Sequence, residues 1–370
     1  MAMRIVIAVT NDLVTDQRVF RISQTLLEQG YKITLVGRKL KHSKSVNYNT
    51  EVKRFRLFFN KGAKFYANYN IRLFCYLLFK RFDVILSNDL DSLPASYFAA
   101  KLRSKKIVYD SHEYFTEVPE LVERKLQQNI WLWFEKKILP KLKHTYTVCE
   151  SIALKYNELY GCDFKVIRNV PFKRVIKQTK MEHTSKVLIY QGALNLGRGI
   201  ELMIETVKHL SNAELWIAGT GDIEQELKQL AIDLGLKEKV NFLGRIPINE
   251  LHEITSKADL GLSLEENLGL NYYFALPNKL FDYIQAEIPF IVADLPEMSS
   301  IVEQYNIGEV LRDRKPEILA KQIESLLSKT KNESISENLS KAANILNWEN
   351  EKSILIDMFR EVENELEKPK

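Results

Sequence analysis

Short apolar runs alternate along the first half of the chain with amphipathic stretches. Six of these runs predict β-strands: Ile5–Val9, Ile33–Val36, Val84–Ser87, Ile107–Tyr109, Thr145–Val148 and Lys165–Ile167. Between them, apolar positions recur at helical spacing and predict four helices: Gln17–Gln29, Pro94–Leu102, Leu121–Leu139 and Ser151–Leu159. Near-continuous apolar strands separated by helices are typical of a parallel sheet that is covered on both faces.

The same alternation starts again after residue 185. Five more apolar runs predict strands that are each followed by a helix: Val187–Tyr190, Glu214–Ala218, Val240–Phe242, Leu260–Leu264 and Phe290–Val292. The polar, basic stretch between the halves has no clear period and predicts a linker, whereas Trp348 to Leu366 predicts a long amphipathic helix. We therefore expect an α/β protein with two doubly wound domains, which bind ligands at the carboxyl ends of their strands.

Length and composition agree with two globular domains. The chain has 370 residues, about twice a typical domain, and 45% hydrophobic and 27% charged residues. Cys75, Cys149 and Cys162 lack C-x-x-C spacing, which suggests a reducing compartment and no structural metal. We see no signal peptide and no apolar run long enough to span a bilayer, so we expect a cytoplasmic protein.

Charge is distributed unevenly between the halves. Residues 1–170 contain 29 Lys and Arg against 16 Asp and Glu, and the remainder contains 24 against 32. The densest basic stretch, residues 61–82, interleaves cations with aromatic residues. Two interpretations stay open: a basic amphipathic helix on an anionic membrane surface, or a core-facing helix with a solvated basic side. We do not expect a nucleic-acid partner.

The segment Leu-Pro-Asn-Lys-Leu-Phe-Asp-Tyr at residues 276–283 is the richest in chemistry. Pro277 suits a helix start, and Lys279 then lies at the positive end of the helix dipole, where a cation is unfavourable unless an anion is nearby. Asp282 lies three residues on, on the same face. Next to Asn278, a cation for a diphosphate and a carboxylate for a ribose diol would serve a nucleotide-sugar site. The alternative is an ordinary amphipathic helix packed on a sheet.

Two glycine turns follow predicted strands in the second half. The first contains Gly192, Gly197 and Gly199 with Arg198, and the second contains Gly219 and Gly221. Glycines at a strand–helix turn let backbone N–H groups approach an anion, and an arginine adds bidentate hydrogen bonds to a phosphate. A helix cap or a simple tight turn is the alternative at either place.

These motifs resemble the family-four glycosyltransferases, retaining enzymes of the GT-B fold, in their variant with a P-N-K-L-F-E-Y segment. The resemblance covers nearly the whole chain. It implies two doubly wound Rossmann-like domains facing a central cleft: an acceptor-side domain at residues 1–170, a nucleotide-sugar domain at 171–345, and a helix at 346–370 that crosses back to the first domain.

The resemblance also implies roles on the donor side. Arg198 takes the place of the family's lysine and, with Lys279, would hold the diphosphate, while Asp282 would bind the ribose. The backbone around Arg245 matches a segment that edges the nucleobase. Two positions depart from the family pattern: Ala193 replaces an arginine and Phe274 a glutamate that touches the donor sugar. Sugar contacts must then come from elsewhere, and the candidates by location are Glu265 and Glu266.

In the N-terminal half, residues 110–113 resemble the D-S-H-E segment of the same subfamily. His112 matches a histidine that contacts the donor sugar, and Asp110 and Glu113 are candidates to orient it. Asp16 and Arg18 match a D-x-R-V helix start, although Asp16 alone would suit a helix cap. The residues expected on the acceptor side are Asp16, Arg18, Asp89 and Glu113. Asp89, with Asp91 two residues on, is not interpreted as a metal ligand.

The predicted activity is that of a retaining, metal-independent hexosyltransferase without a cofactor. It would move a sugar from a nucleoside diphosphate to a hydroxyl of a glycan or lipid-linked glycan, in cell-surface polysaccharide or glycoconjugate synthesis. The enzyme would be cytoplasmic and peripheral on the inner face of the cytoplasmic membrane. Two alternatives stay open: an epimerase that needs no acceptor, and a nucleotide-sugar-binding subunit without activity. A dehydrogenase is disfavoured because no G-x-G-x-x-G follows the first strand.

Overall fold

A computed structural model of the chain describes residues 2–14, 16–46, 48–174, 185–329 and 333–367. The chain folds as two compact units, one of Met1–Asn169 with Glu351–Lys370 and the other of Val170–Asn350. Most of the stretch expected to be a linker, residues 175–184, lies outside the described residues.

The first unit is built on a seven-stranded parallel sheet in the order β3-β2-β1-β4-β5-β6-β7. Its strands are β1 Arg4–Ala8, β2 Lys32–Arg38, β3 Glu51–Phe55, β4 Val84–Asn88, β5 Lys106–Ser111, β6 His144–Thr147 and β7 Phe164–Val166. β1, β4 and the middle of β2 are buried along their length, as expected for strands that are covered on both faces.

Six helices connect these strands, and a seventh closes the unit. They are α1 Gln17–Glu28, α2 Gly62–Phe79, α3 Leu93–Leu102, α4 Pro119–Val122, α5 Lys125–Ile138, α6 Glu150–Tyr160 and, at the end of the chain, α15 Trp348–Glu367. The buried face of α2, which carries Phe65, Tyr69, Leu73 and Leu77, packs into one core with β1, β4 and α3. In α15, Glu365 lies 2.6 Å from the Lys106 ammonium and 3.3 Å from the His144 ring.

The second unit has a six-stranded parallel sheet in the order β10-β9-β8-β11-β12-β13. Its strands are β8 Lys186–Gln191, β9 Ala213–Ala218, β10 Val240–Gly244, β11 Leu260–Ser263, β12 Phe290–Ala293 and β13 Gly308–Leu311. Its helices are α7 Ile200–Val207, α8 Glu224–Asp233, α9 Ile248–Thr255, α10 Leu270–Tyr273, α11 Asn278–Gln285, α12 Pro296–Tyr305, α13 Pro316–Lys329 and α14 Glu333–Ile345. The expected class, α/β with two doubly wound Rossmann-like sheets, is confirmed.

Two strands and one helix break escaped the sequence prediction. β3 and β13 are edge strands: β3 has exposed residues and β13 begins with two half-buried ones, so neither forms a continuous apolar run. The single helix expected at Leu121–Leu139 is two helices, α4 and α5, divided at residues 123–124. Within the described residues, no helix is both long enough and apolar enough to cross a bilayer.

Candidate functional site

Each sheet has one point where the strand order reverses. β1 lies between β2 and β4, and β8 lies between β9 and β11. In open α/β sheets the connections diverge at this point and leave a crevice at the carboxyl ends of the strands, which is where ligands bind. The side chains predicted from the motifs collect at these two places.

In the second unit, the predicted residues Arg198 and Lys279 lie around one buried carboxylate, that of the predicted Glu265. The Lys279 ammonium donates to Glu265 Oε1 at 2.7 Å, and the Ser263 hydroxyl donates to Oε2 at 2.7 Å. Arg198 Nη1 stands 4.0 Å from Glu265 Oε1, and the Arg198 guanidinium lies over the Tyr272 ring. The loop after β8, the turn after β11 and the start of α11 each supply one charged residue. We call Arg198, Glu265, Lys279 and Arg314 (described below) the Glu265 cluster.

Burial controls the electrostatics of this cluster. The side chain of Glu265 is 0% exposed and that of Lys279 is 7% exposed. Burial alone would raise the pKa of Glu265, but the Lys279 ammonium and the Ser263 hydroxyl outweigh it and hold the pKa below its usual value. Burial lowers the pKa of Lys279, Arg198 lowers it further, and Glu265 opposes both. At 2.7 Å the two groups have the geometry of an ion pair, and Arg198 is a second cation beside the same carboxylate.

Sequence analysis placed Glu265 at the donor sugar and Lys279 at the diphosphate. The structure adds that the two side chains pair with each other, and both roles stay predictions. Arg198 remains the more accessible cation, with its side chain 30% exposed. Its Nε is buried and has no hydrogen-bond partner in the part of the chain that the structure describes. A buried donor without a partner is costly, so this atom is suited to a ligand or a water molecule.

Asp282 lies one turn along α11 and contacts the end of β8. Gln191 donates from Nε2 to Asp282 Oδ2 at 2.7 Å, and the Thr255 hydroxyl donates to Gln191 Oε1 at 2.7 Å. This network fixes the half-buried carboxylate beside the glycine turn. Pro277 is the N-cap residue of α11 rather than its first helical residue, and the exposed Asn278 begins the helix.

The glycine turns have a packing reason in addition to any ligand contact. A Cβ at Gly219 would stand 1.8 Å from the Gly192 carbonyl oxygen, and one at Gly199 would stand 2.1 Å from the Leu264 carbonyl oxygen. The two turns and the turn after β11 therefore approach backbone to backbone. Gly197 and Gly221 lie in the same turns, and Gly192 is exposed at the end of β8.

The remaining donor-side positions lie around this centre. Arg245 is exposed and follows β10, the edge strand two places from β8. Ala193 is exposed in the glycine loop and its carbonyl accepts the Tyr190 hydroxyl at 2.7 Å. Phe274 ends α10 with its ring 5.4 Å from the Tyr273 ring. Glu266 lies 3.5 Å from Arg314.

In the first unit, four charged side chains form a second cluster. Arg18 donates from Nε and Nη2 to the two carboxylate oxygens of Asp110 at 2.9 and 2.8 Å. Its third nitrogen, Nη1, donates to the Ile167 carbonyl at 2.9 Å. His112 Nε2 lies 3.0 Å from Asp110, and His112 Nδ1 lies 3.3 Å from Asp89. We call Arg18, Asp89, Asp110 and His112 the His112 cluster.

The two carboxylates keep His112 charged. Burial lowers the pKa of His112, but Asp89 and Asp110 outweigh it and raise the pKa to about 9. Burial raises the pKa of Asp110, and Arg18 and His112 reverse this and lower it to about 2. With both ring nitrogens directed at carboxylates, His112 is an imidazolium at neutral pH and not a free base. Asp110 and Asp89 orient the ring; Glu113, a candidate for that role, is exposed.

Asp16 and Asp91 lie close to this cluster. Asp16 is the N-cap of α1, and its carboxylate accepts the Val19 N–H at 2.8 Å, as expected for a capping residue. Asp91 is 7% exposed and accepts the Thr10 hydroxyl at 2.6 Å. Burial, with the charge of Asp89, raises the pKa of Asp91 to about 8.

Arg314 is a site residue that sequence analysis missed. It follows β13 and donates to the carbonyls of Leu264 and Glu265 at 3.0 and 3.3 Å. It therefore holds the turn that carries the buried Glu265 carboxylate. The sequence offered one sign of it: Arg314 lies in a charged loop directly after the apolar run of β13, and this run was not predicted to be a strand. Among the described residues, no group of three or more His, Cys, Asp or Glu is arranged to hold a metal ion.

Comparison with known proteins gives the same assignment for both halves. Residues 16–171 match the model of Glycosyltransferase Family 4, and residues 172–344 match that of Glycosyl transferases group 1. Curated relatives include the O-antigen chain mannosyltransferase RfbU of Salmonella typhimurium, 28% identical over 48% of this chain and 49% of that protein. Another is an uncharacterized glycosyltransferase of Methanocaldococcus jannaschii, 24% identical over 48% and 45%. The chain thus spans about half the length of the curated relatives it matches.

Solved structures share the fold at low sequence identity. A sucrose-phosphate synthase from Thermosynechococcus elongatus has a TM-score of 0.80 at 15% identity, covering 97% of this chain and 99% of that one. HepE of Anabaena, in complex with UDP and glucose, has a TM-score of 0.76 at 13% identity, covering 97% and 100%. A glycosyltransferase from Rickettsia africae covers both chains fully, with a TM-score of 0.75 at 13% identity. Two glycosyltransferase models thus match residues 16–344 between them, and the fold is the GT-B fold of the solved structures, so the chain belongs among the GT-B glycosyltransferases.

Proposed function

We propose that the protein is a retaining, metal-independent glycosyltransferase that moves a sugar from a nucleoside diphosphate to a hydroxyl acceptor. The observation that carries this proposal is the Glu265 cluster at the carboxyl end of β8 and β11, with the Asp282 carboxylate beside it. Cations suit a diphosphate, and a fixed carboxylate suits the two hydroxyls of a ribose.

The departing diphosphate is the group that most needs stabilisation in such a reaction. Arg198 offers it a partly exposed guanidinium with an unused buried Nε among the described residues. Lys279 adds a second positive charge in a low-dielectric surrounding, where preorganised charge is worth more than in water. These two cations would do the work that a metal ion does in other transferases.

The donor class also draws on similar proteins. HepE has been solved with UDP and with UDP-glucose, and RfbU is named as a mannosyltransferase of O-antigen chains. We therefore propose a nucleotide hexose as donor and a glycan or lipid-linked glycan as acceptor, in cell-surface polysaccharide synthesis. Membership of the P-N-K-L-F-E-Y variant, carried here by residues 277–283, is part of the same proposal.

His112 keeps the role that the resemblance implies, contact with the transferred sugar, in a restricted form. Since its ring is charged and paired with Asp110 and Asp89, it would act through charge and position rather than as a base. For His112→Ala we expect a lower kcat with an unchanged dissociation constant for the nucleotide. A loss of nucleotide affinity instead would contradict this role.

The first test is a thermal-shift series with UDP, GDP, CDP, TDP and NAD, each with EDTA and then with Mg²⁺. Stabilisation by one nucleoside diphosphate in EDTA would support the donor site, since a ligand of the native state raises its apparent stability. A shift that needs Mg²⁺ would contradict metal independence, and a shift with NAD alone would overturn the proposal. Proton NMR of the product's anomeric centre then tests retention of configuration.

Two alternatives have distinct outcomes in the same assays. An epimerase would convert its nucleotide sugar into an isomer without any acceptor. The departures at Ala193 and Phe274 are the reason to test for a binding subunit. Such a subunit would bind the donor but would not transfer its sugar to an acceptor or to water.

Docking on an anionic membrane surface is a further part of the proposal. The buried face of α2 packs in the core, while Ile71 and Phe79 on its outer face are 63% and 87% exposed, among basic residues. Replacing both by Ser should weaken co-sedimentation with phosphatidylglycerol vesicles. The matched control is Leu154→Ser with Leu159→Ser, two exposed leucines of α6; an equal loss in both variants would speak against α2.

A further inference from the structure

A basic cavity opens in the first unit, away from its strand-order reversal. Its volume is about 370 Å³, and it lies where β2 and β3 end. The residues that line it are Lys39, Leu40, Lys41, Arg56, Leu57 and Asn60. We call it the β2–β3 cavity. Neither the Glu265 cluster nor the His112 cluster contributes a lining residue.

The charge of this cavity is of one sign. Three of the six lining residues are cations, and none is a carboxylate. Arg38 adds a fourth cation behind the wall, where its Nη1 donates to the Asn60 carbonyl at 3.4 Å. Its Nε is buried without a hydrogen-bond partner among the described residues. The Arg38 guanidinium itself lies over the Phe65 ring, 4.8 Å from its centroid, so the three lining cations carry the argument: concentrated positive charge is the chemistry of an anion site.

The backbone of the wall is held in place. Lys39 N–H donates to the carbonyl of Phe55, the last residue of β3, at 2.7 Å, which extends the pairing of the two strands one residue beyond the end of β2. The Ser43 hydroxyl accepts the Leu40 N–H at 2.8 Å and donates to Asp12 at 3.2 Å. The Asp12 carboxylate, which this hydroxyl contacts, also accepts the Val14 N–H at 3.1 Å. A fixed wall spares a ligand the cost of ordering it.

Two exposed aromatic residues lie next to the cavity in the sequence, in the segment between β3 and α2. Phe58 and Phe59, next to the lining residues Leu57 and Asn60, are 78% and 46% exposed. The Arg72 guanidinium lies 5.0 Å from the Phe58 ring, and the Lys64 ammonium lies 5.5 Å from the Phe59 ring. A ligand held here by its charge would therefore also meet apolar surface with further cations.

We propose that the β2–β3 cavity binds a phosphate or diphosphate group carried by the acceptor. This inference rests on the proposed function, and it narrows the acceptor from any hydroxyl compound to a phosphorylated one. Three cations in one lining, one of them the guanidinium fork of Arg56, exceed what one carboxylate needs and match a group with several anionic oxygens. The cavity and the Glu265 cluster share no residue, because the cavity belongs to the first unit and the cluster to the second.

The test compares two double variants with equal change of charge. Lys41→Glu with Arg56→Glu alters the cavity, and Lys136→Glu with Lys137→Glu alters exposed lysines of α5. Calorimetric titration uses three probes, with UDP and GDP in excess to fill the donor site. Inorganic pyrophosphate reports the bare anion, farnesyl diphosphate a lipid-linked source, and glucose 1-phosphate a soluble source.

We expect at least one probe to bind the wild type and the α5 variant alike, and the cavity variant roughly tenfold more weakly or worse. If the cavity variant binds only farnesyl diphosphate more weakly than the wild type does, the acceptor is lipid-linked. If it binds glucose 1-phosphate more weakly, the acceptor is soluble. Equal binding by both variants, or no binding of any probe to the wild type, overturns the inference. Binding of UDP and GDP to the wild type is measured first, without the probes. If neither nucleotide binds, the proposed function fails; if a nucleotide binds and the probes do not, only the present inference fails.

Discussion

The Glu265 cluster and the His112 cluster are both buried charge networks at the carboxyl end of a doubly wound sheet, but their charge differs. In the His112 cluster, Arg18 and the protonated His112 face Asp110 and Asp89, two cations against two anions. In the Glu265 cluster, Lys279 and Arg198 share the single Glu265 carboxylate, while Arg314 is paired with Glu266, 3.5 Å away. The first network is saturated, and the second has positive charge to spare.

This difference separates a structural use of buried charge from a binding use. Asp110 receives a guanidinium fork and an imidazolium, which together outweigh the cost of its burial, and each of the three nitrogens of Arg18 already donates to an acceptor. Arg198 is only partly paired, and one of its nitrogens is unused among the described residues. We therefore expect anions to bind at the Glu265 cluster, and changes in the His112 cluster to alter stability and pH dependence first.

The largest effect is expected for Lys279→Ala. It removes a diphosphate contact and leaves Glu265 buried beside the more distant Arg198. Breaking one side of a buried pair costs about 3–5 kcal/mol, so both the free energy of unfolding and the affinity for the nucleoside diphosphate should fall. Urea denaturation and calorimetric titration measure the two.

A second substitution separates these consequences. Lys279→Ala with Glu265→Gln removes the unpaired charge, so stability should largely return while nucleotide affinity stays low. Recovery of affinity together with stability would mean that Lys279 acts only through folding.

Arg18→Lys should have the next largest effect, on stability alone. Lysine keeps the charge but cannot donate a fork to Asp110 and reach the Ile167 carbonyl as well. We expect about 3 kcal/mol less free energy of unfolding, the value of a lost charged hydrogen bond. The dissociation constant for the nucleotide should not change; a tenfold rise would contradict the contrast between the clusters.

The pH dependence of stability should reveal the charge on His112. The folded protein holds this proton up to a pKa of about 9, whereas the unfolded chain releases it near 6.5. Between these values the unfolded state binds fewer protons, so stability is full below pH 6.5 and is lost as pH rises towards 9. The side chain is 21% exposed, and screening by solvent limits the loss to about 2 kcal/mol.

Denaturation of the wild type and of His112→Gln at pH 6 to 10 tests this. The variant should give a flatter profile above pH 6.5. Asp91 also makes the free energy of unfolding fall as pH rises, because its pKa is raised to about 8. The difference between the wild type and Asp91→Asn measures the contribution of Asp91. Equal slopes in the wild type and His112→Gln would show that the imidazole is neutral.

The smallest effect is expected for Arg314→Ala. Its side chain is 35% exposed, so the free energy of unfolding should fall by about 1 kcal/mol. Because it holds the turn that bears Glu265, we expect a moderate rise of KM for the donor. Arg312→Ala is the control, since Arg312 pairs with Glu303 and Asp294 on the surface. An equal KM for both variants would remove Arg314 from the site.

Local patterns were sufficient for most of the fold. Buried parallel strands are continuous apolar runs, and eleven of the thirteen strands in the described residues were found this way. The exceptions, β3 and β13, lie at sheet edges, where one side faces solvent and the apolar run is broken. The break between α4 and α5 also lies in a stretch whose apolar pattern is continuous enough for one helix.

The sequence alone determined the fold class, the two doubly wound sheets, and the turns and helix start that carry Arg198, Lys279 and Asp282. It did so because strand period, glycine turns and helix starts depend on neighbours along the chain. Tertiary structure alone decided which charged side chains pair: Lys279 with Glu265, and Arg18 with Asp110, which is 92 positions away in the sequence. Such partners meet only when the order of strands in the sheet is set, and burial then determines which charges remain available to a ligand.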